Sequence, residues 1–396
     1  MNPDRFQSSP AGKLIKVGRG EAAYWAFIPH PLPPDLVPDW ELMSLLSEAD
    51  RALSGLAGVG RTLPNPHLLI GPFVRREAVL SSRIEGTITD ITALYAYEAG
   101  RLPLPGFDAA PPKADAQEVL NYVRALEFGL ERVKTLPISL RLMRELHDKL
   151  LTGARGQHTT PGEFRRTQNW IGPPGCSLAQ AGFVPPPVEQ MTESLAALER
   201  YLHESKSIHP PLVRLALIHY QFEAIHPFVD GNGRVGRLLL SLLLVEWGLL
   251  SLPLLYLSAY FYQHRDEYDD LLLAVSERGA WKEWIRFFVF GVAEQAGDAV
   301  ARATRLQDLR ESWHRQLTET SRSTLLLRLA DRLFTSPLLT IPGAQELLGV
   351  SYPGAQRNVD KLVEAGILRQ WGEASYGKTF YAPEILRILG ENSGKI

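Results

Sequence analysis

Residues 226–237 constrain the fold of this chain more strongly than any other segment. They read HPFVDGNGRVGR and lie between two apolar stretches with helical spacing, residues 212–224 and 235–250. Pro227 prevents the first helix from continuing, and the glycines that follow allow a tight turn before the second helix begins. Because a helix begins with unpaired N–H groups and the positive end of its dipole, the segment predicts an anion-binding loop suited to phosphates.

The side chains of this loop fit phosphate chemistry. His226 is a base of the type that titrates near neutral pH, and Asp230 offers the hard oxygen ligand that Mg²⁺ prefers. Asn232 can cap the second helix or donate a hydrogen bond to a phosphate. Arg234 and Arg237 are three residues apart, so they share a helix face and can clamp phosphates together.

Two other interpretations of the loop fit the sequence less well. Asp-Gly and Asn-Gly pairs are typical of β-hairpin turns, but the flanking residues have helical and not alternating periodicity. An EF-hand loop requires an acidic ligand at its twelfth position, where this chain has Ser241. We therefore interpret the loop as a functional phosphate site.

The loop resembles the signature of the Fic family, H-P-F-x-D/E-G-N-G-R-x-x-R, and matches it at every fixed position. The resemblance implies an all-α Fic core. It also implies protein adenylyltransferase activity, in which AMP passes from Mg-ATP to a Ser, Thr or Tyr hydroxyl of a protein. Transfer chemistry of this kind depends mainly on positioning and on charge neutralisation.

The resemblance also assigns roles to individual residues of the loop. His226 is implied to deprotonate the target hydroxyl, and Asp230 is implied to hold Mg²⁺ on the α- and β-phosphates. Arg234 would contact the β-phosphate, and Arg237 would bind the γ-phosphate. The implied nucleotide-binding residues are Gly231, Asn232, Gly233, Arg234 and Arg237.

A second motif lies upstream, in residues 76–87. Ser81 and Glu85 are four residues apart on one face of a predicted helix, which Gly86 would end. These residues resemble the inhibitory motif S/T-x-x-x-E-G/N, found N-terminal to the core in one class of Fic proteins. The resemblance implies that Glu85 pairs with Arg237 and occupies space that the γ-phosphate needs.

The helical pattern is interrupted between residues 161 and 187. Short β-like pieces surround a turn-rich loop there and predict an extended hairpin. In Fic proteins this flap, here about residues 169–186, is implied to bind the target protein by strand pairing. The aromatic residues of the segment 260–268 are candidates for adenine contacts, with core packing as the alternative for each of them.

The end of the chain has a different pattern. It predicts two helices followed by a β-hairpin, at residues 338–348, 352–365, 367–371 and 378–381. That order is typical of a winged helix-turn-helix. Residues 372–379 match the P-loop pattern, but strand-like residues follow them instead of a helix, so we interpret them as the wing. Acidic and basic residues balance in this region, which favours protein docking or dimer support over DNA binding, the open alternative.

The fold class that we expect is therefore mainly α: a Fic helical core with a short β-hairpin flap and a C-terminal winged helix-turn-helix domain. Four parts follow along the chain, namely an N-terminal helical region carrying the inhibitory helix, the catalytic core, a helical connector and the winged-helix domain. Their predicted bounds are 1–110 (inhibitory helix at about 76–86), 111–295, 296–330 and 331–396.

Composition limits the cellular context. The 396 residues are 45% hydrophobic and 22% charged, which is typical of a globular protein, and the net charge of −2 gives no general attraction to nucleic acid or anionic membranes. A single cysteine excludes an internal disulfide, and the first residues lack the apolar stretch of a signal peptide. We expect a cytoplasmic protein with no membrane partner, which forms a homodimer through hydrophobic helical surfaces.

Two alternative functions stay open at this point. The same scaffold can orient another phosphate-containing donor, or can use Glu85 to position water for AMP removal. The protein could also be a DNA-binding regulator whose Fic core senses a nucleotide. The presence of His226 together with both arginines favours an enzyme, because sensing needs no base.

Overall fold

The computed structural model of the protein is mainly helical, as the spacing of apolar residues predicts. It describes residues 1–20, 23–37, 39–62, 67–98, 113–153, 160–173, 175–204, 207–320, 323–371 and 378–390. The predicted Pro-rich break at residues 102–112, which contains the predicted boundary at 110, lies outside these ranges. The tip of the predicted wing, residues 372–377, also lies outside them.

Ten helices of the described part precede one very long helix. They are α1 (Trp40–Thr62), α2 (His67–Ile84), α3 (Ile91–Glu98), α4 (Lys113–Arg132), α5 (Leu140–Leu151), α6 (Val188–Leu202), α7 (Pro211–Ile225), α8 (Asn232–Glu246), α9 (Ser258–Gln263) and α10 (Arg265–Arg278). The long helix is α11 (Trp281–Thr320). None of these described helices joins sufficient length to sufficient hydropathy for a membrane crossing.

Helices α7 and α8 form the centre of the core. Both are buried on almost every side, in agreement with sequences that are apolar all round. Helix α11 packs on α7, and the indole Nε1 of Trp284 donates a hydrogen bond of 2.9 Å to the carbonyl oxygen of Ala216. The turn between α7 and α8 is thereby held between two buried helices.

The predicted inhibitory helix is α2, with different bounds. It begins at His67 and ends at Ile84, so Glu85 and Gly86 lie in the turn that follows the helix and not within its last turn. Gly86 has a positive φ of 95°, which a glycine adopts without strain and which ends the helical path.

The N-terminal region is not entirely helical, contrary to our prediction for residues 1–110. Strands β1 (Gly12–Val17) and β2 (Tyr24–Pro29) pair antiparallel, with Gly12 opposite Pro29. Aromatic and β-branched residues are concentrated in both strands and favour this pairing. Phe27 of β2 is buried and packs at 5.9 Å from Phe183 of the predicted flap, so the hairpin supports the flap from below.

The flap itself is less regular than the predicted hairpin. A single β-bridge joins Ile171 to Phe183, with the Ile171 N–H donating to the Phe183 carbonyl at 2.9 Å. Proline has no N–H to donate to a ladder, and the prolines at 173 and 185–187 flank this bridge. The segment is therefore a loop pinned by one bridge.

The last helices and strands form a small C-terminal unit. Its elements are α12 (Thr324–Thr335), β3 (Leu338–Thr340), α13 (Ile341–Leu348), α14 (Tyr352–Glu364), β4 (Arg369–Trp371), β5 (Thr379–Tyr381) and α15 (Pro383–Gly390). The strands are antiparallel in the order β3-β5-β4. Strand β5 begins at Thr379, the last residue of the GKT tripeptide, where a P-loop would require a helix.

Two of the predicted domain boundaries fall inside helices. Helix α11 runs unbroken across residue 295, so the predicted connector is its C-terminal half and not a separate element. Helix α12 begins at Thr324, before the predicted boundary at 331. The first three residues of the helix predicted at 338–348 form strand β3. One continuous cluster of buried side chains includes both the central helices and the C-terminal unit.

Replacing Trp284 with alanine tests the importance of the α7–α11 contact. The side chain is fully buried, so Trp284→Ala should lower the free energy of unfolding by about 3–5 kcal/mol in urea denaturation. Trp40 is 91% exposed and provides the matched control, since Trp40→Ala should change stability by less than about 0.5 kcal/mol. Equal effects of the two substitutions would contradict this packing.

Candidate active site

The turn after α7 places His226 in an uncommon backbone conformation. Its φ and ψ are 49° and 60°, a left-handed conformation that is rare outside glycine. The carbonyl oxygen of His226 accepts hydrogen bonds from Arg165 Nε (3.0 Å) and Asn169 Nδ2 (3.2 Å). Because Arg165 and Asn169, before and at the start of the flap, hold this strained residue in place, they fix the direction in which the imidazole leaves the helix.

The imidazole of His226 is prepared to act as a base. Its Nδ1 lies 3.2 Å from the Glu223 carbonyl oxygen, which can only accept, so Nδ1 carries the proton and Nε2 has its lone pair free. Burial lowers the pKa of His226 to about 4, and the positive charge of Arg165 adds to this effect. The neutral form therefore predominates at neutral pH.

Asn232 shapes the loop from inside. Its side chain is buried, accepts from the Phe228 N–H at 2.8 Å and donates to the Phe228 carbonyl oxygen at 2.9 Å. These two bonds close the loop across five residues, with Gly231 at a φ of 79°. Both the oxygen and the nitrogen of the Asn232 amide are thus bonded to the Phe228 backbone inside the loop.

His147 of α5 supports the same loop. It accepts from the Gly162 N–H at Nδ1 (2.9 Å), so Nε2 carries the proton and donates to the Asp230 carbonyl oxygen at 3.0 Å. Its ring stacks on Phe228 at a centroid distance of 3.8 Å. Burial lowers the pKa of His147 to about 4, which keeps the ring neutral.

Asp230 is the exposed carboxylate of the loop. Its side chain is 47% exposed, with Oδ1 accepting from the Gly231 N–H at 2.7 Å and Oδ2 at 3.5 Å from Arg234 Nη2. Mg²⁺ typically binds one or two carboxylates together with phosphate oxygens and water. The donor set of this site, one accessible carboxylate at a predicted phosphate loop, fits that ion. Within the described ranges no cluster of three or more metal-ligating side chains occurs.

Arg234 is held below the loop by carboxylates. Its side chain is 4% exposed, and Nη1 donates to Glu118 of α4 at 3.3 Å. The contact joins residues that are 116 positions apart. No local pattern identifies Glu118, and the sequence analysis did not find it.

Arg237 connects the loop helix α8 to α2, the predicted inhibitory helix, and to the turn that follows it. Its guanidinium is 2% exposed and donates from Nε to Ser81 Oγ at 2.8 Å, and from Nη2 to the Ser81 carbonyl at 3.0 Å and to Glu85 Oε1 at 2.6 Å. Burial would raise the pKa of the Glu85 carboxyl, but Arg237 outweighs burial and holds that pKa below its usual value. Glu85 is therefore ionised against a permanently charged partner.

The Glu85 carboxylate also covers the beginning of α8. A Cβ on Gly233 would lie only 2.3 Å from Glu85 Oε1, so the absence of a side chain at Gly233 is what lets the carboxylate approach. The first N–H groups of a helix and its positive dipole end attract anions to this position. Glu85 thus supplies the negative charge at the start of α8 in this structure.

A second buried carboxyl group lies behind this contact. Glu77 Oε1 accepts from Tyr122 of α4 (3.0 Å) and from Ser258 of α9 (2.5 Å). Glu77, Ser81 and Glu85 follow one another at intervals of four residues, and therefore line one side of α2 and its extension. The sequence analysis missed Glu77, although this spacing was the signal that would have found it.

The comparisons with known proteins agree with this geometry. Residues 43–131 match the N-terminal region of the Fic/DOC family, and residues 137–244 match the Fic/DOC family domain itself, which contains the whole loop.

The chain belongs to the Fic family.

The sequence similarity to named relatives covers only part of this chain and of theirs. The chain is 36% identical over 137 residues to proteins named protein adenylyltransferase Fic from Drosophila grimshawi and Drosophila virilis. The match covers 33% of this chain and 25% of each of these two relatives, so the chain spans about a quarter of their length. A crystal structure of a Fic family protein from Desulfovibrio desulfuricans G20 superimposes with a TM-score of 0.55 at 19% identity, covering 89% of this chain and 98% of that one, which shows a shared fold.

The aromatic residues proposed for adenine contacts in this Fic protein mostly serve the core. Tyr260, Phe261 and Tyr268 are buried, and Phe261 stacks on Tyr268 at 4.5 Å. Tyr262 is 39% exposed, so it is the aromatic residue of this segment with an accessible ring. The packing interpretation therefore holds for three of these rings.

Glu223 is a further carboxyl group near the Fic loop that the sequence analysis did not consider. A Cβ on Gly236 would lie 2.3 Å from its Oε1, and this oxygen has no hydrogen-bond partner within the described residues. Burial raises the pKa of Glu223 to about 8, with Arg237 opposing the rise and Glu85 adding to it. Glu223 is thus mostly protonated at neutral pH, which limits the negative charge around Arg237.

Replacing Glu223 with glutamine should change the pH dependence of stability. Because its pKa is higher in the folded than in the unfolded chain, the wild type loses stability as pH rises from about 4.5 to about 8. Relative to the wild type, Glu223→Gln should gain at least about 1 kcal/mol between these limits in urea denaturation. Exposed Glu193 of α6 offers the control Glu193→Gln, and a pH-independent difference for both variants would contradict the prediction.

Proposed function

We propose that the protein is an adenylyltransferase, which transfers AMP from Mg-ATP to a Ser, Thr or Tyr hydroxyl of a protein. One observation carries the proposal. A neutral imidazole, an exposed carboxylate, two buried arginines and a helix N-terminus converge on the single turn between α7 and α8. The names of the Drosophila relatives support the same reaction.

The proposed reaction follows from the state of His226. The target hydroxyl loses its proton to Nε2 of His226, and its oxygen attacks the α-phosphorus of ATP. The bond between that phosphorus and the oxygen bridging to the β-phosphate breaks, and pyrophosphate leaves. His226 suits the role of base because the Glu223 carbonyl keeps the proton on Nδ1 and because hydrogen bonds from Arg165 and Asn169 hold the His226 backbone.

The other loop residues neutralise and position the nucleotide in this proposal. Bound Mg²⁺ would supply charge neutralisation on the α- and β-phosphates, and Asp230 would hold it. Arg234 would contact the β-phosphate and Arg237 the γ-phosphate, while the backbone of Gly231, Asn232 and Gly233 would supply N–H groups. The Asn232 side chain contributes by holding the loop closed.

The proposal includes autoinhibition by Glu85. Arg237 already has a carboxylate partner at 2.6 Å, and that carboxylate lies against Gly233 at the start of α8. A γ-phosphate directed to Arg237 would meet both the same charge and the same volume. ATP would then bind in a pose that does not align the α-phosphorus with the attacking hydroxyl.

The target protein is proposed to dock on the flap. Trp170 and Ile171 of the flap and Val229 of the loop are 40–43% exposed, and we propose them as the apolar rim on which the target docks. The flap is joined to the loop by Asn169, which donates to the carbonyl oxygens of His226 and Phe228. The backbone groups of Ile171 are already bonded to Phe183, so docking would use this rim as well as any strand pairing. We also propose that the protein forms a homodimer.

A DNA-binding regulator remains the second candidate, because of the C-terminal unit. Its strand order and its pair of helices α13 and α14 fit a winged helix, and Arg357 and Lys361 are exposed on α14. Salt-dependent binding to duplex DNA, without nucleotidyl transfer under any condition, would favour this candidate.

Autolabelling with α-³²P-ATP and Mg²⁺ tests the proposed function and its inhibition. Glu85→Gly should raise incorporation by about ten- to a hundredfold, because Arg237 loses a charge-assisted partner that competes with phosphate. Adding His226→Ala to this variant should abolish the label. Glu98→Gly provides the control, since it breaks the ion pair between Arg75 of α2 and Glu98 of α3 and leaves Arg237 paired with Glu85.

Two results would contradict the proposal. Label that is absent from Glu85→Gly, with ATP binding confirmed separately, would point to another donor or to the regulator. Label that persists in the Glu85→Gly/His226→Ala variant would show that His226 is not the base.

A further inference from the structure

The inhibitory helix α2 lies between two parts of the molecule. It packs against α4 and α9, which belong to the catalytic part, and also against α12 and α15 of the C-terminal unit. Its buried residues include Phe73, Val74 and Ala78, which join the same hydrophobic cluster as Leu329 and Ile388. The position of α2, and with it that of Ser81 and Glu85, therefore depends on both neighbours.

A buried ionic chain joins α2 to the C-terminal unit. Arg76 Nη2 of α2 lies 3.7 Å from Asp298 Oδ2 of α11, and the same oxygen accepts from Arg302 Nε at 2.7 Å. Arg302 Nη1 also donates to the carbonyl oxygen of Ile388 in α15. The three side chains are 13%, 6% and 2% exposed, in the order Arg76, Asp298, Arg302.

One carboxylate thus serves two buried guanidinium groups. Burial and the neighbouring charge of Arg302 together lower the pKa of Arg76 to about 10, although the negative charges of Asp298 and Glu77 oppose this shift. Without Asp298, the buried guanidinium groups of Arg76 and Arg302 would repel each other, and the carboxylate that attracts both of them would be missing. Asp298 therefore favours the packing of α2 against α11 at this point.

Arg76 is directly followed by Glu77 and lies five residues before Ser81. These residues belong to one continuous helix, and a helix transmits a displacement along its length because its backbone hydrogen bonds keep it rigid. A shift of α2 at Arg76 would therefore move Ser81 and Glu85 relative to Arg237.

We propose that Asp298 is a positioning residue for autoinhibition: it couples the C-terminal unit to α2 and so holds Glu85 on Arg237. The C-terminal unit then acts as a clamp on the inhibitory helix through this ionic chain, and displacement of α15 from α2 releases the active site. This inference rests on the proposed function, in which loss of the Glu85–Arg237 contact raises AMP transfer.

The test compares full-length variants in autolabelling with α-³²P-ATP. Asp298→Asn should raise labelling at least about tenfold over the wild type, since a loosened α2 removes Glu85 from Arg237. Combined with Glu85→Gly, it should add less than about twofold, because both changes act through the same contact. A merely structural defect would lower labelling in both backgrounds.

Asp331→Asn supplies the matched control. Asp331 of α12 pairs with Arg310 and His314 of α11, so this change breaks an Arg–Asp contact of the C-terminal unit that does not touch α2. It should leave labelling within about twofold of the wild type. Equal activation by Asp298→Asn and Asp331→Asn, or no activation by Asp298→Asn beside an active Glu85→Gly variant, would overturn the proposal.

Hydrogen exchange gives a readout that does not depend on the reaction. Amides of residues 77–86 should exchange at least about tenfold faster in Asp298→Asn than in the wild type. In Asp331→Asn their exchange rates should equal those of the wild type. If Glu85→Gly incorporates no label, the proposed function fails, and this exchange alone decides the coupling: unchanged exchange would overturn it. Arg76→Met, which keeps the Asp298–Arg302 pair, should show the same gain if Asp298→Asn does not fold.

Discussion

The guanidinium of Arg237 needs negatively charged or accepting partners, because its side chain is only 2% exposed and it cannot lose its positive charge. Position 237 lies one and a half turns into α8, directly below the loop that begins with His226. In this structure the neutralising groups come from α2: the Ser81 hydroxyl and carbonyl and the Glu85 carboxylate. The arrangement of α2, α4, α9 and the C-terminal unit around α8 is what brings that helix to this arginine.

Side chains from within the loop and from neighbouring segments hold the backbone of the loop in place. Asn232 closes it from within, Arg165 and Asn169 hold the His226 carbonyl, and His147 holds the carbonyl of Asp230. These supporting side chains are neutral or bonded to carbonyl oxygens, so they add little negative charge to a site suited to phosphates. The exposed Asp230 carboxylate, which fits Mg²⁺, is the exception.

The sequence was sufficient for the parts of this structure that depend on neighbouring residues. The α7–turn–α8 unit follows from two apolar runs and from the proline and glycines between them. The contact of Glu85 with Arg237 was implied by the resemblance of residues 81–86 to the Fic inhibitory motif. The Arg234–Glu118 contact was not predictable, since it joins residues 116 positions apart and nothing near Arg234 in sequence points to Glu118. The hairpin of β1 and β2 and the single bridge of the flap were misjudged because helical periodicity elsewhere outweighed short β-type stretches with interrupting prolines.

The central claim is that Glu85 and the γ-phosphate of ATP compete for Arg237. Crystal structures of the wild type and of Glu85→Gly, each with bound Mg-ATP, measure this competition directly. The account predicts that the wild type keeps the Glu85–Arg237 hydrogen bond with the γ-phosphate displaced from Arg237, and that the γ-phosphate bonds Arg237 in the variant. A wild-type complex in which Arg237 binds both the γ-phosphate and Glu85 would contradict it.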